Sequence, residues 1–310
     1  MTKIGIVGAG LIGRAWAIVF ARSNFDVSLW DGDAKALQAS LGTIGERLED
    51  LKKAGLIADP ASVLKRIAPR ATLREAIVDA AYVQENLPET VEIKQRIFGE
   101  MDAIARPDAI LASSTSSIPV SAFTEGLKGR ARCLVAHPVN PPYLVPVVEL
   151  CGAPWTAPET VARTRALMEQ AGQVPVTVQR EIQGFILNRL QGALLNEAFR
   201  LVEDDYVTVD DLDKTIAHGL GLRWSFMGPF ETIDLNAPGG VRDYCERYGP
   251  MYHDLAKQQA DPRTWRTVVD RVEAECKKNL PRNKLAERAT WRDRRLMALA
   301  AHKRKMQETE

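Results

Sequence analysis

Hydrophobic residues follow two different patterns in the two parts of this chain. Up to about residue 180, short apolar runs rich in β-branched residues alternate with longer stretches whose apolar side chains recur every three or four positions. The short runs predict buried strands and the longer stretches predict amphipathic helices. This alternation favours an α/β fold with a doubly wound, Rossmann-type sheet. About eight strand-like runs are present, at residues 4–7, 26–30, 67–72, 81–86, 109–113, 133–136, 145–150 and 173–178.

The alternation ends near Arg180. From Glu181 onward only helical periodicity remains, interrupted by glycine- and proline-containing segments at 219–229 and 236–240. We therefore expect two domains: a nucleotide-binding α/β domain over residues 1–180 and an all-α domain over 181–310, which serves the substrate or dimerisation. The basic segment that begins at Trp291 suits an amphipathic helix used for packing or for a dimer contact.

Three glycines follow the first strand in the spacing G-x-G-x-x-G, at Gly8, Gly10 and Gly13. The first glycine suits a tight turn, the second leaves room for a pyrophosphate, and the third allows close packing of the next helix on the strand. The helix begins at Leu11, so the free N–H groups of its first turn, with Leu11 and Ile12, point at the phosphates. The glycines therefore predict a dinucleotide site.

The second strand ends in Asp31, which selects between two dinucleotides. A carboxylate there accepts hydrogen bonds from the ribose hydroxyls of the adenosine and repels a 2′-phosphate, so it favours NAD over NADP. The alternative is a glycine-rich turn that binds nothing. We prefer the NAD site because the glycines follow a strand, open a helix and precede a strand that ends in an acid.

Composition narrows the choice of partners and compartment. Of 310 residues, 45% are hydrophobic and 26% charged, with a formal net charge of +1, which gives no electrostatic case for nucleic acid or membrane as a partner. No apolar stretch is long and charge-free enough to cross a bilayer. Four cysteines without C-x-x-C spacing predict reduced thiols in a cytoplasmic protein. Because the chain has four histidines and no H-x-x-x-H pair, we expect no metal site.

Polar residues follow the fourth and fifth predicted strands. Glu89 and Lys94 come after the strand at 81–86, and five consecutive hydroxyl residues fill positions 113–117. Because ligands bind outside the carboxyl ends of parallel strands, Glu89 and Lys94 are placed to meet a cofactor and the hydroxyls to bind a substrate oxygen. A capped helix start with a solvated charge pair, or a simple cap and loop, explains the same residues without a ligand.

His137 and Glu149 lie on two apolar segments joined by a proline-rich loop. A hairpin there could bring the two side chains together, and a buried carboxylate fixes the tautomer of an imidazole and raises its basicity. Such a histidine can take the proton from an alcohol while hydride leaves the same carbon. A purely structural histidine at a strand end is an equal reading of these two residues alone.

Several segments resemble the 3-hydroxyacyl-CoA dehydrogenase family and, within it, the branch of lambda-crystallin and L-gulonate 3-dehydrogenase. The similarity covers nearly the whole chain. The segments that carry it are the glycine fingerprint, QENLPETVEIK at 84–94, ASSTSSIP at 112–119, AHPVNPPYLVPVVEL at 136–150, GFILNRL at 184–190, LRWSFMGPFETIDLNA at 222–237 and the tail from WRD at 291.

The resemblance implies a role for each of these polar residues. It makes His137 the general base and Glu149 its orienting partner, with Ser116 and Asn188 on the reacting oxygen. It also implies that Glu89 and Lys94 contact NAD and that the protein forms a homodimer through its helical domain. Apolar helical stripes buried within one monomer would explain that part of the sequence equally well. The implied reaction is reversible, NAD-linked oxidation of an L-3-hydroxy acid to a 3-oxo acid.

Arg223 bears on the choice of substrate. The family's acyl-CoA branch has a shorter turn at the corresponding position, whereas this chain carries an arginine, whose guanidinium can bind a free carboxylate through two hydrogen bonds. We therefore expect a free acid such as L-gulonate, with a surface or interdomain arginine as the alternative. A 3-hydroxyacyl-CoA ester and L-carnitine stay open as substrates, the latter with Trp224, Tyr143 and Asp234 as candidate contacts. A catalytically silent, crystallin-like NAD-binding protein is the non-enzyme alternative.

Overall fold

A computed structural model describes residues 2–307 of the chain. Its described part contains one eight-stranded sheet with the strand order β3-β2-β1-β4-β5-β6-β7-β8. Neighbouring strands are parallel except β6 and β7, which form an antiparallel hairpin. The predicted doubly wound α/β sheet is confirmed. The strands are β1 (Lys3–Val7), β2 (Asp26–Trp30), β3 (Ile67–Pro69), β4 (Tyr82–Glu85), β5 (Ile110–Ser113), β6 (Cys133–Pro138), β7 (Val147–Gly152) and β8 (Val174–Val178).

Helices connect the strands, apart from the β6–β7 hairpin, and make up most of the chain after β8, as predicted from the change in periodicity. None of the described helices is both long and apolar enough to cross a membrane. The α-helices are α1 (Leu11–Arg22), α2 (Ala34–Lys53), α3 (Pro60–Lys65), α4 (Leu73–Ile77), α5 (Val91–Ile104), α6 (Ser121–Thr124), α7 (Pro158–Gln170), α8 (Leu187–Glu203), α9 (Val209–Thr215), α10 (Gly221–Trp224), α11 (Pro229–Leu235), α12 (Gly240–Gln258), α13 (Val269–Asn279) and α14 (Leu285–Gln307).

The described residues group into two compact units by proximity of their Cα atoms. The first comprises the residues up to Asn188 together with those from Arg288 onward, and the second is Arg189–Glu287. The first unit contains the whole sheet, and α14 contributes Met297, only 2% exposed, to its core. The predicted domain boundary near Arg180 stays a prediction, and nothing in the sequence signalled that the C-terminal helix joins the first unit.

Consecutive strand residues enter two separate apolar clusters, because side chains alternate between the faces of a strand. Tyr82 belongs to one cluster and Val83 to the other, and Ile110 and Leu111 divide in the same way. Both faces of the sheet are therefore covered, as a largely parallel sheet requires.

Each of the three glycines in the loop between β1 and α1 has a different structural reason to be a glycine or a different surrounding. Gly8 has φ +97°, a left-handed conformation that favours glycine. A Cβ on Gly13 would lie 1.8 Å from the carbonyl oxygen of Gly8, so the helix starts against the turn itself. Nothing lies within 4 Å of a Cβ built on Gly10, which leaves open space where the sequence predicts a pyrophosphate.

We expect Gly13→Ala to destabilise the protein by about 1–3 kcal/mol, because the new methyl group forces the Gly8 carbonyl to move. Gly42→Ala is the control: it lies in the middle of α2 with nothing within 4 Å of its Cβ, and should stabilise the helix by about 1 kcal/mol. Urea unfolding of both variants measures the difference. Equal stability of Gly13→Ala and the unsubstituted protein would contradict the close approach.

Candidate active site

His137 and Glu149 face each other across the β6–β7 hairpin. They are direct partners in the antiparallel register, and Nδ1 of His137 lies 2.8 Å from Oε2 of Glu149. Their side chains are only 6% and 2% exposed. The structure therefore brings the two residues together in the way that the predicted hairpin allows.

The second oxygen of Glu149 holds the start of α8. Its Oε1 accepts the N–H groups of Ile186 at 2.7 Å and Leu187 at 2.9 Å. The chain reaches this position through Gly184 and Phe185, with φ of +75° and +49°. The Phe185 ring is buried, with its centroid 5.6 Å from that of His137. One carboxylate thus fixes both the imidazole and a helix N-terminus.

These contacts keep the carboxylate of Glu149 ionised. Burial raises the pKa of Glu149, but the hydrogen bonds from His137, Leu187 and Ile186 outweigh it and hold that pKa below its ordinary value. The carboxylate is therefore ionised at neutral pH. Because an ionised carboxylate only accepts hydrogen bonds, Nδ1 of a neutral His137 carries the proton and Nε2 keeps a lone pair. That lone pair can accept a proton from a substrate.

Four of the five hydroxyls at 113–117 already have partners within the protein. Ser113 donates to Glu85 at 2.6 Å, Ser114 to Asn86 at 2.7 Å, and Thr115 and Ser117 to Glu89 at 2.5 and 3.3 Å. Within the described residues, the hydroxyl of Ser116 has no such partner, and its side chain is exposed. The structure therefore leaves Ser116, the residue expected on the reacting oxygen, with a hydroxyl available to a ligand.

Asn188 lies beside Ser116 in the structure. Its Nδ2 donates to the backbone carbonyl of Ser116 at 2.8 Å, which leaves the other N–H of the amide and its oxygen for further bonds. Asn188 follows Leu187, whose N–H binds Glu149. The arrangement that holds His137 therefore also positions Asn188.

Glu89 and Lys94, the expected cofactor contacts, are bound mainly to other groups of the chain. Oε1 of Glu89 accepts the N–H groups of Ser116 and Ser117 at 2.8 and 3.1 Å, in addition to the hydroxyls described above. Burial raises the pKa of Glu89, but these bonds and the charge of Lys94 outweigh it and lower that pKa. Lys94 is 1% exposed and paired with Glu85. Contact of either side chain with NAD stays a prediction.

Sequence reasoning missed a second cluster of hydrogen-bonded side chains, formed by Ser114, Gln84, Tyr82 and Trp16. The hydroxyl of Ser114 accepts the side-chain N–H groups of Trp16 at 3.0 Å and Gln84 at 2.7 Å, and Tyr82 donates to Gln84. Burial raises the pKa of this tyrosine well above its ordinary value, so it stays a donor. The signal was present: Gln84 and Glu85 are polar residues inside an apolar strand, and buried polar groups need partners.

The residues expected around NAD fit that cofactor. The N-cap of α1 is Gly10, without a side-chain cap and without an acid in the first turn, so the positive end of the helix stays available to a phosphate. The Asp31 oxygens accept the N–H groups of Ala9 at 2.7 Å and Asp33 at 2.8 Å. Each oxygen has a second lone pair, so the carboxylate can also accept from a ribose. No cluster of possible metal ligands occurs within residues 2–307.

Arg223 lies in the second unit, on the short helix α10, with an exposed side chain. The hydroxyl of Tyr244 on α12 lies 2.9 Å from that of Tyr252, and this hydrogen bond raises the pKa of Tyr244, whereas the charge of Arg223 acts to lower it. The role of Arg223 in binding substrate stays a prediction.

Comparison with known proteins identifies the chain as an NAD-dependent oxidoreductase and gives its family. The model of the NAD-binding domain of 3-hydroxyacyl-CoA dehydrogenase matches residues 3–182, and the model of that family's C-terminal domain matches residues 184–279. The chain belongs to the 3-hydroxyacyl-CoA dehydrogenase family.

Individual relatives cover almost the same length. The lambda-crystallin homolog of Homo sapiens is 42% identical over 308 residues, covering 97% of this chain and 96% of that protein. An L-carnitine dehydrogenase of a Pseudomonas species is 35% identical, covering 94% and 91%. Among solved structures, an NAD⁺-dependent 5-formyl-3-hydroxy-2-methylpyridine-4-carboxylic acid 5-dehydrogenase has a TM-score of 0.75 and 30% identity, covering 82% and 81%.

The lowered pKa of Glu149 predicts how stability depends on pH. Because the folded-state pKa lies below the unfolded value of about 4.3, the ionised carboxylate stabilises the fold above that pH and loses this effect as pH falls through the folded pKa. We expect Glu149→Gln to cost about 1.5–3 kcal/mol at pH 7. The difference should shrink below about pH 4. Chemical unfolding at several pH values measures it, and a constant difference down to pH 3 would contradict the assignment.

Proposed function

We propose that the protein oxidises the 3-hydroxyl group of a free L-3-hydroxy acid to a 3-oxo acid with NAD, and that L-gulonate is its substrate. The observation that carries the reaction is the buried His137–Glu149 pair, in which Nδ1 of His137 lies 2.8 Å from Oε2 of Glu149. The choice of acid is supported by the similarity to lambda-crystallin homologues, by the branch that the sequence motifs resemble, and by Arg223.

The residues divide the chemistry as follows. Nε2 of His137 takes the proton of the substrate hydroxyl, and the ionised Glu149 stabilises the imidazolium that forms. Ser116 and Asn188 hold the reacting oxygen by hydrogen bonds while its carbon becomes a carbonyl. NAD supplies the acceptor for the hydride that leaves the same carbon. The alcohol thus loses one proton and one hydride, and the reverse path reduces a 3-oxo acid.

L-Carnitine is the second candidate substrate because an L-carnitine dehydrogenase is 35% identical. A quaternary ammonium group requires aromatic faces or a carboxylate. Of the three candidate residues, Tyr143 is only 7% exposed. Asp234 is exposed and keeps its negative charge, although it accepts the N–H of Val241 at 2.9 Å, and Trp224 is 42% exposed. Asp234 and Trp224 are therefore the candidate contacts for a quaternary ammonium group.

The homodimer and the cytoplasmic location stay predictions. Large apolar side chains of α10 and α11 are exposed, among them Leu222 at 63% and Phe230 at 77%, and a second copy of the chain is the partner that we propose for them.

A substrate panel tests the proposed function. Formation of NADH should be fastest with L-gulonate, compared with L-carnitine, L-3-hydroxybutyrate and its CoA ester. Arg223→Ala should raise the Michaelis constant for L-gulonate about tenfold or more, because a charge-assisted bond to the carboxylate is lost. Arg242→Ala is the matched control. An unchanged Michaelis constant in Arg223→Ala would remove the arginine from the site, and absence of turnover with all four compounds would favour the structural protein.

The general base has its own test. His137→Gln should lower turnover by about 10²–10⁴-fold, because the proton of the hydroxyl loses its acceptor. NADH binding, followed by fluorescence, should persist because no residue of the glycine loop changes. His253→Gln, on the exposed surface of α12, should leave both quantities unchanged. Full turnover of His137→Gln would refute the mechanism.

A further inference from the structure

Glu85 and Lys94 form a buried ion pair at the carboxyl end of β4. Their side chains are 0% and 1% exposed, and Nζ lies 3.0 and 3.2 Å from the two carboxylate oxygens. Burying two charges carries a desolvation cost that only close pairing and further hydrogen bonds offset. A buried pair of this kind is weak evidence for stability, so its position is the informative feature.

The position joins two loops of the candidate site. Glu85 is the register partner of Ser113 on β5, accepts the hydroxyl of Ser113 at 2.6 Å, and accepts the N–H of Leu87 at 2.6 Å. The residues that follow Leu87 carry Glu89, and the residues that follow Ser113 carry Ser116. The carboxylate of Glu85 therefore lies where both loops begin.

Lys94 has a second carboxylate within reach. Its Nζ lies 3.5 Å from Oε2 of Glu89, compared with 3.0 Å from Glu85. Glu89 divides its two oxygens: Oε2 faces Lys94, and Oε1 accepts the N–H groups of Ser116 and Ser117. Within the described residues, Glu89 is the other carboxylate paired with Lys94. If the charge of Glu85 were absent, the buried ammonium would depend on Glu89, and this pairing would compete with the hold of Glu89 on the loop that carries Ser116.

We propose that Glu85 is a positioning residue of this enzyme: by taking the charge of Lys94, it leaves Glu89 free to hold the loop that carries Ser116. The proposal rests on the proposed function for its kinetic consequence, because Ser116 is the residue expected on the reacting oxygen. Its structural consequence, the order of residues 115–117, is independent of any substrate.

A double-mutant cycle between Glu85 and Glu89 tests this role. If Glu85 acts through Glu89, then Glu85→Gln and Glu89→Gln should each lower kcat/KM about tenfold or more. The double variant should then be no worse than Glu89→Gln alone. If Glu85 only stabilises the fold, the folded Glu85→Gln variant should keep the kcat/KM of the unsubstituted protein, and that result would overturn the proposal. Two losses of kcat/KM that multiply in the double variant would overturn it as well.

Amide hydrogen exchange measures the same coupling between Glu85 and Glu89 and requires no turnover of substrate. The amides of Ser116 and Ser117 should exchange faster in Glu85→Gln and in Glu89→Gln, and no faster in the double variant. If the wild-type protein oxidises no hydroxy acid but this exchange pattern is found, the proposed function fails and the positioning role stands. Unchanged exchange at these amides in Glu85→Gln overturns the positioning role whatever the substrate.

Two further variants separate the positioning role from a general loss of stability. Asp102→Asn breaks a half-buried ion pair in which Asp102 lies 2.7 Å from Arg132, the residue just before β6. This variant should lower thermal stability and leave kcat/KM and the hydrogen exchange of residues 115–117 unchanged. Glu85→Asp keeps the charge but shortens its reach. If Glu85→Gln does not fold, the same cycle is run with Glu85→Asp, with the same two outcomes.

Discussion

The buried carboxylate of Glu149 is the interaction on which the candidate site depends. One oxygen fixes the imidazole of His137 across the hairpin, and the other accepts two N–H groups at the start of α8. A single charge thereby sets the tautomer of the proposed base and the place of Asn188, one residue beyond the second of those N–H groups. Because the three hydrogen bonds also keep the carboxylate ionised, the chemistry of the site and the local fold share one cause.

The same interaction, backbone N–H groups donating to a carboxylate, recurs in other loops that follow the strands. In each case a carboxylate accepts backbone N–H groups, which a loop outside the sheet would otherwise leave without partners. The acids and the residues whose N–H groups they accept are Asp31 with Ala9 and Asp33, Glu85 with Leu87, Glu89 with Ser116 and Ser117, and Glu149 with Ile186 and Leu187. The polar residues at the carboxyl ends of the strands therefore hold the loops of the candidate site in place. This explains why Glu89, expected on the cofactor, is engaged with the protein.

The sequence predicted the sheet and the pairing of His137 with Glu149 because both follow from local patterns: apolar runs mark strands, and a short loop between two runs makes a hairpin. It could not predict the partners of Lys94, because the buried acid that neutralises it comes nine residues earlier and its proximity depends on how α5 packs. Nor could it tell which of five adjacent hydroxyls is available, since that follows from Glu85, Asn86 and Glu89 taking the other four. Such assignments come from tertiary contacts between residues far apart in the chain.

The residues proposed for the reaction and the arginine proposed for the choice of acid belong to different units of this chain. His137, Glu149, Ser116 and Asn188 all belong to the unit that contains the sheet, whereas Arg223 belongs to Arg189–Glu287. As proposed, the residues of the first unit bind only the reacting oxygen, so they do not define the rest of the substrate. The proposed selectivity for a free acid is therefore assigned to the second unit, because the guanidinium of its Arg223 has the geometry to bind a carboxylate, which a thioester lacks.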